Sequence, residues 1–140
     1  MAYSQKRLRE IYGRTSGYCH ICHKKLAFKN YASVDSRASW EVEHSKPRAK
    51  GGKDHLNNLY PGCISCNRSK GKKTNKTVRA KHGTRIAPLS PKKRKSAKAQ
   101  NAVVAGAAGA TIGGLIFGPA GAIAGVAIGV KIGHTKNPDK

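Results

Sequence analysis

Hydrophobic and polar positions follow different rhythms along the chain. Near the start, Leu8, Ile11 and Tyr12 fall on one side of a helical repeat, Ser4 stands where an N-cap belongs, and Gly13 or Gly17 ends the run. From Ser39 to His44 the rhythm shortens to two. That is the pattern of a strand with Trp40 and Val42 on its buried face. Pro47 stops it, and Gly51-Gly52 marks a flexible loop. Leu56 to Tyr60 reads as the returning strand, and Cys63 to Lys70 as a second helix closed by Gly71. The first 73 residues thus predict a small ββα unit. Residues 74–101 read as a basic flexible linker, 102–133 as an apolar helical segment and 134–140 as a basic tail.

The apolar segment has its own pattern. No charged residue occurs from 102 to 130, and Gly109 and Gly113, Gly114 and Gly118, and Gly121, Gly125, Gly129 and Gly133 are each spaced by four. Small residues at that spacing let two helices approach closely, as in a glycine zipper. Pro119 predicts a hairpin of two helices, about 102–117 and 120–132. At 1.5 Å per residue these are roughly 24 and 20 Å long, short of a hydrocarbon core about 30 Å thick. A single tilted span over 111–130 fits that thickness better but must carry Pro119. Membrane association and self-association through 102–133 both stay open as roles for this segment.

Charge changes the picture of the rest. Of 140 residues, 28 are Lys or Arg and 6 are Asp or Glu, a formal net charge of +22. Nearly all the excess lies in the first hundred residues, and thirteen basic residues with no acid fall within 68–98. Such a surface expects a polyanionic partner and argues against small cationic substrates. Arg48, Arg68, Lys70, Lys72 and Lys73 are the expected phosphate contacts, and contacts of that kind carry little sequence preference. With one Trp and few aromatics, the core is thin and needs a staple. The first residues run into charge without an apolar stretch, so the expected compartment is a reducing cytosol, on the cytoplasmic face of a membrane if the tail anchors.

In that compartment, paired thiols bind metal more often than they form disulfides. Cys19-x-x-Cys22 and Cys63-x-x-Cys66 have the spacing that points two sulfurs at one ion, and two such pairs complete a closed tetrahedral zinc site. With no open position, that metal is structural. His20 and His23 flank the first pair, and the expectation for both is a bystander role.

Between the pairs lie Trp40-Glu41-Val42-Glu43-His44-Ser45-Lys46-Pro47, Gly51-Gly52, Asn57-Asn58-Leu59 and Cys66-Asn67-Arg68-Ser69-Lys70-Gly71. In this order the sequence resembles the HNH endonuclease family, in its version with two CxxC knuckles, over about residues 15–73. The resemblance implies an α+β, ββα-metal (His-Me finger) fold and a DNA-cutting phosphodiester hydrolase. It implies His44 as the general base on water, and Asn58 as the residue fixing the loop and the His. Glu43 and Asn67 would be ligands of a catalytic divalent cation such as magnesium. The chain departs from the commonest form in carrying Glu before the His, which moves the carboxylate by about 1.5 Å at full extension.

The residue types suit that chemistry. A phosphodiester resists attack because its oxygens are anionic, and a hard cation held by oxygen ligands neutralises that charge. An imidazole has a reference pKa near 6.5, so it is mostly neutral and basic at cellular pH. Strict strand alternation, however, puts Glu43 and His44 on opposite faces, and both reach one phosphate only if the strand is distorted there. Two alternatives stand beside the nuclease: a non-catalytic zinc-stabilised module that binds nucleic acid, and a membrane-associated effector carried by the tail.

Overall fold

The computed structural model describes residues 3–135 and 138; within the last helix, side chains at 109, 111–121, 124, 125 and 133–135 are not described. The chain forms two compact units, Met1–Pro91 and Lys92–Lys140. The first unit is a small α+β body built on a two-stranded antiparallel sheet.

Helix α1 (Gln5–Gly13) starts where Ser4 accepts a hydrogen bond from the Arg7 backbone N–H at 3.2 Å, and it buries Leu8 and Ile11. Strand β1 (Trp40–His44) pairs with β2 (Leu59–Cys63), matching Trp40 to Cys63 and His44 to Leu59. The returning strand therefore starts three residues later than the hydrophobic pattern predicts. Leu56–Asn58 is a 3-10 turn, because the Asn57-Asn58 pair serves the loop rather than the sheet. Helix α2 (Ile64–Lys70) follows with Cys63 at its N-cap and Gly71 at its C-cap.

The stretch expected as a linker begins with structure. Helix α3 (Asn75–Lys81) is capped by Thr74 and buries Asn75 and Val78 against the first unit's core. Around Trp40, which is fully buried, stand Leu8, Ile11, Ile21, Leu26, Leu59 and Val78, with Tyr12, Phe28 and Tyr31 packed beside the indole. Val42 is only half-buried, whereas Glu43 is fully buried, so the strand has a polar interior position that hydrophobic patterning assigns to solvent.

In the second unit, helix α4 spans Pro91–Thr135. A Cβ on Gly129 would stand 2.7 Å from the Ala105 carbonyl carbon and 3.1 Å from the Gly106 Cα. In a straight helix residues 105 and 129 would be about 36 Å apart, so the chain doubles back between them. Gly106, Gly129 and Ala102 are buried, while Val103, Val104, Ile123 and Ile128 are exposed. Pro119 lies within the stretch between Gly106 and Gly129. That residue, and the spaced glycines Gly109, Gly113, Gly114, Gly118, Gly121, Gly125 and Gly133, have side-chain positions outside the described residues, as does most of the basic tail 134–140. Among the described residues, no helix is long and apolar enough to cross a membrane.

Candidate functional site

The four cysteines meet. Cys19 and Cys22 come from the knuckle after α1, Cys63 from the end of β2 and Cys66 from the first turn of α2; their sulfurs all lie within 4.8 Å of one another. Zinc with sulfurs at about 2.3 Å in a tetrahedron requires S···S distances of about 3.8 Å, and Cys22 and Cys63 stand at 3.7 Å. Backbone N–H groups of Ile21 and Cys63 donate to Cys19 Sγ at 3.4 and 3.2 Å, an arrangement suited to a bound thiolate. Contact with Cys19 holds the Cys22 thiol down to about 7 and drives Cys63 lower still. The four cysteines are free of disulfides and positioned to hold a metal.

The last residues of β1 carry two separate constellations. Glu43 faces inward. Its carboxylate is ion-paired with the ammonium of Lys70, which also donates to the His44 carbonyl. The other oxygen lies 3.2 Å from His20 Nδ1 and accepts from Asn75 Nδ2 at 3.1 Å. Burial alone would raise the Glu43 pKa, but hydrogen bonds from His20 and Lys70 outweigh it and hold the carboxyl below its usual value. Burial pushes His20 down, against the pull of Glu43. Arg79 can only donate and lies 3.1 Å from His20 Nε2, so that nitrogen accepts and Nδ1 donates to Glu43. Its ring stacks on Tyr60 with centroids 3.7 Å apart.

This network corrects one expectation from sequence. Lys70 is 3% exposed and neutralises Glu43, so it is not a surface contact for nucleic acid. His20 stands outside the thiol cluster, as expected, and is a structural partner of Glu43. Glu41 accepts from Asn67 Nδ2 and from Arg68, both at 2.9 Å.

The network also bears on the catalytic cation implied by the resemblance. Glu43 and Asn67 do share a face, since a Cβ on Gly62 would meet their β-carbons at 3.0 and 3.7 Å. Their polar ends have other partners, though. Both Glu43 oxygens are committed to Lys70, His20 and Asn75, and the Asn67 amide nitrogen is turned to Glu41. As arranged, this pair does not fit a divalent cation, and among the described residues the thiol cluster is the one group of three or more metal-binding side chains.

Burial of the Glu43–Lys70 pair carries a stability consequence. Removing one partner of a buried ion pair typically costs about 3–5 kcal/mol, because the other charge is left uncompensated. Lys70→Met is expected to lower unfolding free energy by about that much in urea titrations, and Glu43→Gln added to it is expected to restore part of the loss.

His44 faces the opposite way, beside the loop that follows β1. Its Nε2 lies 2.6 Å from Asp54 Oδ1. Arg48 grips the same carboxylate, with Nη2 at 2.8 and 2.7 Å from its two oxygens. Hydrogen bonding from His44 and then from Arg48 brings the Asp54 carboxyl down to about 2. Asn58 ties the loop shut: its Oδ1 accepts from the Lys46 N–H at 2.7 Å and its Nδ2 donates to the carbonyls of Lys46 and Lys53 at 3.1 and 2.9 Å. Gly52 allows the loop to close, since a Cβ there would collide with the Lys46 carbonyl, and Gly51 takes φ +76°. Arg48, Arg68, Lys72 and Lys73 are exposed, as a phosphate-binding surface requires. Sequence reasoning missed Asp54; the signal was a lone acid two residues past Gly-Gly in a basic loop.

A two-stranded hairpin and a helix thus bring four thiols together and set an imidazole at the strand end. Residues 19–73 match the family model described as HNH endonuclease. No curated protein and no solved structure matches the chain.

Proposed function

We propose that the chain is an endonuclease that hydrolyses DNA phosphodiester bonds, with His44 as the general base and zinc in the four-thiol site. The observation that carries the reading is the HNH endonuclease match over residues 19–73, in which His44 stands at the end of β1 on a loop tied by Asn58. His44 takes a proton from water, the water oxygen bonds to phosphorus, and the phosphorus–oxygen bond to the 3′ oxygen breaks. That oxygen leaves as a hydroxyl after taking a proton from solvent, and the 5′ end keeps the phosphate. Arg48, Arg68, Lys72 and Lys73 bind the backbone phosphates with little sequence preference. The resemblance implies a divalent cation; the Glu43 oxygens are taken by Lys70, His20 and Asn75, and no step is assigned to it.

Incubation of the full chain with supercoiled plasmid and magnesium is expected to yield nicked circles, and binding without any cutting would favour the non-catalytic module instead.

A second role falls to the tail. Water-soluble helix pairs bury their large apolar side chains, whereas the second unit buries Gly106 and Gly129 and turns Val103, Val104, Ile123 and Ile128 outward. Lys92, Lys93, Lys95 and Lys98 sit at its entrance. That combination suits an anionic membrane surface, with the nuclease held on the cytoplasmic face. The full chain is expected to float with anionic vesicles in a density gradient, and a 1–100 truncation to stay at the bottom while still cutting. Flotation of both, or self-association without flotation, assigns the tail another role.

A further inference from the structure

The loop after β1 brings a carboxylate, a guanidinium and an imidazole into one cluster. We infer that Asp54 is a positioning residue for His44: it fixes the ring and sets which nitrogen is free to act on water. This inference rests on the reading of His44 as the general base.

An ionised carboxylate only accepts hydrogen bonds, so the 2.6 Å contact places a proton on His44 Nε2. In the neutral ring the lone pair then resides on Nδ1, and Nδ1 is the atom that takes the proton from water. Arg48 Nε lies 3.2 Å from both His44 Nε2 and Asp54 Oδ1. With Nε2 already protonated, the Arg48 N–H is directed to the carboxylate. Arg48 Nη2 spans both oxygens of Asp54 as well, so the carboxylate is held ionised and its direction is fixed. When His44 becomes positively charged during the reaction, Asp54 is the anion next to it. Its partner Arg48 remains half exposed, at 57%, where a phosphate can reach its outer face.

The residue recruited is not the adjacent acid. Glu43 is spent inside the fold on Lys70, His20 and Asn75, and the loop supplies a second carboxylate to the opposite face of the strand. Asn58 contributes by holding both ends of the segment between Lys46 and Lys53, which sets the distance from β1 to Asp54.

The test joins a spectroscopic readout to a kinetic one. In the full chain at pH 8, ¹⁵N spectra of the His44 ring should show Nε2 protonated and Nδ1 bare. Asp54→Ala should spread the proton over both nitrogens and slow plasmid nicking about 10–100-fold, the range typical of groups that orient a working imidazole. Asp54→Glu should recover part of both. An unchanged ring spectrum in Asp54→Ala overturns the inference, and so does a changed spectrum with nicking within twofold of the parent. Failure of the underlying reading looks different: there the ring spectra respond to Asp54 while nicking is indifferent to His44 itself.

Discussion

Cys63→Ser is expected to leave the first unit unfolded at room temperature, and a zinc chelator is expected to do the same to the parent chain. The argument starts from how little else holds the unit. Its core is Leu8, Ile11, Ile21, Leu26, Trp40, Leu59 and Val78, with aromatic rings tilted around the indole and a sheet of two strands. A two-stranded hairpin is marginal in water without something packed on it. The thiol cluster joins the knuckle after α1, the end of β2 and the start of α2, which are the three places where those elements would otherwise separate. Structural zinc contributes about 10–16 kcal/mol of apparent binding free energy in small metal-dependent folds, comparable with or larger than the roughly 5–15 kcal/mol by which whole domains are stable. Loss of one thiolate removes enough of it to tip the balance. Far-UV circular dichroism and one-dimensional NMR dispersion should collapse in Cys63→Ser, and metal analysis of the parent should find one zinc per chain. Melting of the variant within a few degrees of the parent would show that the apolar core suffices alone.

What the sequence made legible divides along a physical line. Features set by local chemistry were readable. Ser4 capping α1, Gly71 ending α2, Pro47 stopping β1 and the two Cys-x-x-Cys pairs each depend on a few neighbouring residues, and each is found where the pattern puts it. The start of β2 slipped because Asn57 and Asn58 lie in an alternating run, yet the Asn58 side chain is needed by the backbone of the facing loop. Such a demand comes from across the fold and leaves no trace in the local rhythm. Helix α3 was hidden for a related reason. Its few apolar residues are outnumbered by lysines and arginines, so a composition-based view sees a linker, whereas Thr74 caps it and Asn75 and Val78 hold it to the core.

The site shows the same division more sharply. Alternation along β1 warned that Glu43 and His44 face opposite ways, and they do. Which partner each finds is a tertiary fact. Glu43 meets a histidine from the knuckle, a lysine from α2 and an asparagine from α3, residues 20, 70 and 75 in a chain where nothing local marks them as a set. Lys70 looked like one more cation of a phosphate-binding run because charge alone does not tell a buried counterion from a surface one. His44, in turn, finds Asp54 ten residues away through a loop whose closure depends on Asn58 and Gly52. A motif names the residues; the hairpin and its loop decide which of them meet.

His44→Ala is the substitution expected to cost the most activity for the least structure. The imidazole lies at the rim of the sheet, its contacts are to Asp54 and Arg48, and none of the buried residues around Trp40 depends on it. Folding and zinc content should therefore match the parent. Affinity for plasmid should change little, because the exposed cations Arg48, Arg68, Lys72 and Lys73 are all retained. A positioned general base contributes about 10²–10⁴-fold to rate, so nicking under saturating plasmid should fall by that factor, with the loss in kcat rather than in KM. Added imidazole, small enough to enter the space the side chain leaves, should recover part of the rate in His44→Ala and none in the parent. The same assay separates catalysis from mere binding. A module that only holds nucleic acid would shift DNA in a gel as the parent does and show no cutting for His44 to control, whereas a nuclease whose rate is untouched by His44→Ala must draw its base from elsewhere, and the Asp54 pairing would then lose its catalytic meaning while keeping its geometry.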